Sequence, residues 1–139
     1  MLILDENLHD HRLEAAFASW YRGAVTSIIQ LRPASIIKDD VVPTLLRTVK
    51  HPTFVTINVT DFWKKALPQE DYCIVAIAVP KERAYEAPTL LRRLFRIQDF
   101  NTKAKRAGKV IRLNKENIEY YEKGKRIVAL PWAEKEFQP

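Results

Sequence analysis

The sequence predicts an α/β domain: a mostly parallel sheet with helices on its faces and antiparallel strands appended near the C-terminus. Three observations carry this. Through residues 1–107, short apolar and β-branched runs alternate with segments whose apolar residues repeat at helical spacing, the pattern of βα units. The run Cys73-Ile74-Val75-Ala76-Ile77-Ala78-Val79 is almost continuously apolar, so it must be covered on both faces, as strands of parallel sheets are. Beyond Gly108, three β-rich stretches are joined by short polar links, which reads as an antiparallel meander.

The elements follow in order. Met1-Leu2-Ile3-Leu4 is an apolar run that ends at Asp5, so it reads as a buried strand with a carboxylate at its C-terminal end. Leu13, Ala16, Phe17 and Trp20 fall at helical spacing, and Gly23 supplies a left-handed stop. Ala24 to Leu31 is a second strand, closed by Arg32-Pro33. Asp39-Asp40 open a helix whose apolar face is Val42, Leu45, Leu46 and Val49, and His51-Pro52 closes it. Thr53 to Ile57 is a strand, and Asn58-Val59-Thr60-Asp61-Phe62-Trp63 carries polar groups out of the sheet.

A long helix is expected from Pro88 to Gly108. On it Arg92, Arg96, Lys103 and Arg106 fall within an arc of about 80°, a basic stripe opposite Leu90, Leu91, Leu94, Phe95 and Ile97. The meander comprises Lys109 to Asn114, Ile118 to Glu122 and Arg126 to Leu130. No internal repeat is present.

At 139 residues with 47% hydrophobic content, the chain is sized for one core, and 29% charge with few glycines fits neither a disordered nor a fibrous protein. No basic leader precedes an apolar stretch and no apolar run approaches the ~20 residues of a membrane span, so no membrane association is expected. Cys73 has no second cysteine to pair with, which excludes an intramolecular disulfide and fits a cytoplasmic protein. Residues 1–71 carry a net charge of −1 and residues 72–139 a net of +7. A cationic half favours polyanions such as nucleic acid, although basic residues also keep small domains soluble.

In an open α/β sheet, ligands sit beyond the C-terminal ends of the strands. Asp5 and Glu6 follow the first strand, Asp61 follows the strand ending near Ile57, and Asp39-Asp40 open a helix. Three segments thus bring acids toward one end of the sheet, a hard-oxygen set suited to Mg²⁺ or Mn²⁺. Each acid also has a structural reading: Asp39 or Asp40 as an N-cap, Asp61 as part of an Asx-type turn begun by Asn58. Asp5 is harder to explain that way, because an acid at the end of a buried strand is costly unless paired, hydrogen-bonded or metal-bound.

Other chemistries are weaker. His9 and His11 would point about 200° apart on a helix and could not share a zinc ion. No Gly-rich phosphate loop exists, and Cys73 within its apolar strand reads as core. Tyr120, Tyr121 and Trp132 offer stacking surfaces for bases, but adjacent tyrosines on a strand face opposite ways.

Leu4-Asp5-Glu6-Asn7-Leu8, the helix led by Asp39, and Val55-Thr56-Ile57-Asn58-Val59-Thr60-Asp61-Phe62 together resemble a PIN-type nuclease. More closely, the chain is similar to the short PIN-like family known as domain of unknown function 5615, related to VapC-type toxins. Ala107-Gly108-Lys109-Val110-Ile111 followed by Ile118-Glu119-Tyr120 extends the likeness over most of residues 1–139, read as one domain.

The resemblance implies a three-layer α/β/α sandwich and a ribonuclease that uses Mg²⁺ or Mn²⁺ and is held in check by a small antitoxin. Asp5, Asp39 and Asp61 match the metal-binding acids, with Glu6, Asn7, Asp40 and Asn58 in support. Where the short family often reads Arg-Asp-Lys-Asp-Phe, this chain has Asn58-Val59-Thr60-Asp61-Phe62, which leaves one ion or two open. A homodimer also stays open. The competing reading is a PIN-like fold without turnover that serves as an RNA-binding or protein-interaction module.

Overall fold

The architecture comes from a computed structural model that describes residues 1–31 and 41–132. Seven strands form one sheet: β1 (Leu2–Leu4), β2 (Val25–Ser27), β3 (Thr53–Thr56), β4 (Cys73–Ile77), β5 (Val110–Leu113), β6 (Asn117–Tyr121) and β7 (Val128–Pro131). Their spatial order is β2-β1-β3-β4-β5-β6-β7. The pairings from β2 through β5 are parallel, and β5–β6 and β6–β7 are antiparallel. The helices are α1 (His11–Ala18), α2 (Ile28–Leu31), α3 (Val42–Leu46), α4 (Val59–Phe62), α5 (Ala87–Phe95) and α6 (Lys103–Arg106).

Register explains the layers. Ile3, Phe54, Ile74 and Val110 stand side by side across four parallel strands, and Leu4, Val55, Val75 and Ile111 form the next row. Successive side chains on a strand point to opposite faces. The first row therefore packs with Ile28, Val42, Leu46 and Phe62 from α2, α3 and α4. The second packs with Phe17 of α1 and with Leu90, Leu91 and Leu94 of α5. Both faces of the parallel sheet are dry, so the fold is a three-layer α/β/α sandwich with an antiparallel extension.

The sheet also defines where a site belongs. From β1 the chain crosses to β2 on one side, and its next strand, β3, lies on the other side of β1. The connections diverge between β1 and β3, and the loops leaving their C-terminal ends open a crevice there.

Two expected elements differ. The run Ala24 to Leu31 yields only β2 before turning into α2. Ser27 Oγ accepts the Ile29 N–H at 3.3 Å and the Gln30 side chain accepts the Ser27 N–H at 3.4 Å, local bonds that compete with the ladder. The long helix expected from Pro88 to Gly108 stops at Phe95, gives a short turn at Gln98–Phe100, and restarts as α6 under a Thr102 cap that accepts the Lys105 N–H at 3.1 Å. Continued as one helix, Gln98 and Asn101 would enter the buried arc and Phe100 would lie about 80° outside it. The break lets Ile97 and Phe100 both be fully buried.

Candidate functional site

Asp5 follows β1 directly and its side chain is 5% exposed. The β1–β3 ladder continues past Leu4, with the Asp5 N–H donating to Val55 O at 2.8 Å, and this brings the Asp5 carboxylate beside Thr56. Asp5 Oδ1 accepts the Glu6 N–H at 2.8 Å, capping the turn Glu6–Leu8. Asp5 Oδ2 accepts the Thr56 hydroxyl at 2.7 Å and the Asn7 amide at 3.2 Å.

Thr56 ties this carboxylate to the next loop. Its oxygen accepts the Asn58 N–H at 2.9 Å and the Asn7 amide at 3.2 Å while its own proton goes to Asp5. Asn58 caps α4: its Oδ1 accepts the Asp61 N–H at 3.2 Å and its Nδ2 donates to the Asp61 carboxylate at 2.6 Å. The chain Asp5, Thr56, Asn58, Asp61 is therefore one hydrogen-bonded network across the crevice, buried at the Asp5 end and exposed at Asp61.

Burial pushes the Asp5 carboxyl above its ordinary range, an effect partly opposed by the hydrogen bonds from Thr56 and the Glu6 N–H and reinforced by the nearby Glu6 charge. Among the described residues no Lys or Arg pairs with it. A carboxylate offers about four acceptor positions, and three are used here, so one position on Oδ1 is available. A buried carboxylate that no described Lys or Arg pairs, and whose acceptor positions the described residues do not fill, is chemically matched to a hard cation.

Asp39 and Asp40 lie outside the described residues, so the structure places Asp5 and Asp61, with Glu6, Asn7 and Asn58, at one edge of the sheet. Among the described residues no three His, Cys, Asp or Glu side chains gather closely enough to form a complete metal cage. Beside Asn7 an open groove of about 400 Å³ is flanked by Arg12 and Lys81. Another groove, about 540 Å³ between Pro68–Asp71 and Ala107–Gly108, lies at the opposite edge, where β4 and β5 begin.

The basic stripe takes a different form from the one expected. Because the helix breaks after Phe95, Arg92 and Arg96 stay exposed near the end of α5, Lys103 is exposed on α6, and Arg106 is only 3% exposed. Arg106 donates to Phe100 O at 2.9 Å and to Thr53 Oγ1 at 3.3 Å, and lies 3.8 Å above the Phe95 ring.

The aromatic residues considered for base stacking are packed: Tyr120 against Phe100, Tyr121 against Trp63 with its hydroxyl on Ala66 O, and Trp132 under Arg93 at 3% exposure. Cys73 is core, its thiol pushed up to about 12 by burial.

Two residues escaped the sequence reading. Thr56 acquires its role only through the β1–β3 register. Arg22 joins Arg92, Arg96 and Arg106 around one groove, a grouping that only the packing of α1 against α5 creates. No family model, curated protein or solved structure matches the chain, so function is read from the site itself.

Proposed function

We propose that the protein is a metal-dependent ribonuclease of the PIN type, with Asp5 and Asp61 as its acids at the sheet edge. The observation that carries this reading is the buried Asp5 carboxylate at the β1/β3 crevice, uncompensated by any described cation and joined through Thr56 and Asn58 to Asp61. Asp5 and Asp61, with Asp39 or Asp40, would hold Mg²⁺ or Mn²⁺. Such an ion lowers the pKa of a bound water and neutralises charge on phosphate oxygens.

The chain's own residues have separate tasks. Thr56 and Asn7 hold the Asp5 side chain through Oδ2. Asn58 holds Asp61 at the first turn of α4. Arg12 and Lys81 are the cations that could contact a phosphate beside this groove, among the carboxylates of Glu6, Asp10 and Glu82.

RNA is the substrate class and a small antitoxin the partner this reading brings with it. Overexpression of the chain is expected to arrest bacterial growth, with relief by a co-expressed genetic neighbour. Incubation of an RNA oligomer with purified protein and millimolar Mn²⁺ should give cleavage that Asp5→Asn reduces by about 10² or more.

One observation favours a second reading. The Asp5 carboxylate already accepts three hydrogen bonds within the protein, as a purely structural lock would. A non-catalytic binding module is the conclusion if wild-type protein leaves RNA intact with either metal, or if Asp5→Asn cleaves at the wild-type rate.

A further inference from the structure

A second polar site lies at the opposite edge of the sheet from Asp5. A groove of about 430 Å³ between the end of α1 and the last turn of α5 is lined by Arg22, Arg92, Arg96 and Arg106 together with Trp20 and Phe95. Its place is fixed by Arg106, whose Nε donates to the hydroxyl of Thr53, the first residue of β3. The Asp5 carboxylate meets Thr56 at the other end of the same strand.

The groove is cationic without internal compensation. Among the described residues none of the four guanidinium groups forms an ion pair with a carboxylate. Arg106 is the telling member. It is 3% exposed, yet its partners are a backbone carbonyl, a threonine hydroxyl and the face of Phe95. Two of its five N–H donors are used by those acceptors.

A buried guanidinium is normally kept by an anion, because desolvating it is costly. Trp20 packs edge-on to Phe95 at 5.7 Å, and its indole N–H is buried with no acceptor among the described residues. Guanidinium forks match phosphate oxygens geometrically. The volume lies within the range of about 300–1,000 Å³ of small-ligand sites, the scale of one nucleotide rather than a duplex.

We propose that this groove binds a nucleotide phosphate of single-stranded nucleic acid, with Arg106 at its floor and Arg22, Arg92 and Arg96 around it. The proposal takes only its choice of nucleic acid from the ribonuclease reading and needs no catalysis.

The test titrates the full chain with inorganic phosphate, adenosine 5′-monophosphate and a ten-nucleotide oligouridylate at several salt concentrations, read by calorimetry and tryptophan fluorescence. Log affinity for the oligomer should fall with log salt, and Arg92→Gln/Arg96→Gln should weaken binding and flatten that slope. Both substitutions are at exposed positions, so folding is preserved, whereas Arg106→Lys, checked by its unfolding midpoint, asks whether the fork itself is needed. A chelator present throughout should leave this binding unchanged, which separates this site from the acids.

Oligomer binding stronger than that of the mononucleotide assigns a strand, and equal binding assigns a free nucleotide. Either result supports a phosphate site. The proposal is overturned if the double variant keeps the wild-type affinity and salt slope, or if none of the three probes binds; binding of a polyglutamate peptide alone would then assign the groove to an acidic protein segment.

Discussion

Asp5 is held by three donors, and burial still raises its pKa, so the folded protein keeps the Asp5 proton to higher pH than the unfolded chain does. The folded state then binds more protons between the ordinary carboxyl range and the raised value. The contribution of Asp5 to stability is fullest below that window and falls as pH rises through it. With a chelator present, the urea midpoint of Asp5→Asn relative to wild type should move in favour of the variant between pH 4 and pH 7. A constant offset would place the Asp5 titration elsewhere.

Thr56→Val removes the hydroxyl that donates to Asp5 and accepts from Asn58, and should cost about 1–3 kcal/mol in urea unfolding. Cys73 is fully buried, and burial pushes its thiol up, which disfavours the reactive thiolate. An aromatic disulfide reagent should label it only on unfolding. Asp5 was legible because an acid closing an apolar run has few uses. Thr56 was not, because its role depends on which residue of β3 stands beside Asp5, and register is not written locally.

The elements that read correctly are those whose apolar pattern is unambiguous. β3 and β4 are short β-branched or continuous apolar runs, and both are buried along their length. α5 repeats Ala87, Leu90, Leu91 and Leu94 at helical spacing, all buried. Truncating the fully buried Leu91 to Ala should therefore cost 2–5 kcal/mol, by transfer and cavity terms, read from chemical denaturation.

The long helix was misread because its polar face looked continuous. Phe100 breaks that pattern, and Thr102 marks the restart with a side-chain cap. Replacing Thr102 by Ala should cost about 1 kcal/mol. The same break carries Arg106 from an expected surface stripe to the interior, at the wall of a groove shared with Arg92 and Arg96.

Across the whole molecule, the acids and the arginine groove occupy opposite ends of the parallel strands. A strand of four residues rises about 13 Å, so one phosphate cannot meet both. The basic half of the sequence is thus divided: Lys81 stands beside the Asn7 groove, whereas Arg92, Arg96 and Arg106 face the far edge with Arg22 from the acidic half. Charge counted along the chain revealed the surplus but not this division, which the crossings of α1 and α5 produce.

Asp5 is the centre of the proposed cation site. Calorimetric titration of the purified chain with Mn²⁺, beside Asp5→Asn and paired with thermal unfolding, tests it directly. Wild type should bind Mn²⁺ and gain about 1.4 kcal/mol at ten times Kd, and Asp5→Asn should lose both the heat and the gain while remaining folded. Equal Mn²⁺ binding by the two proteins, or none by wild type, would contradict it.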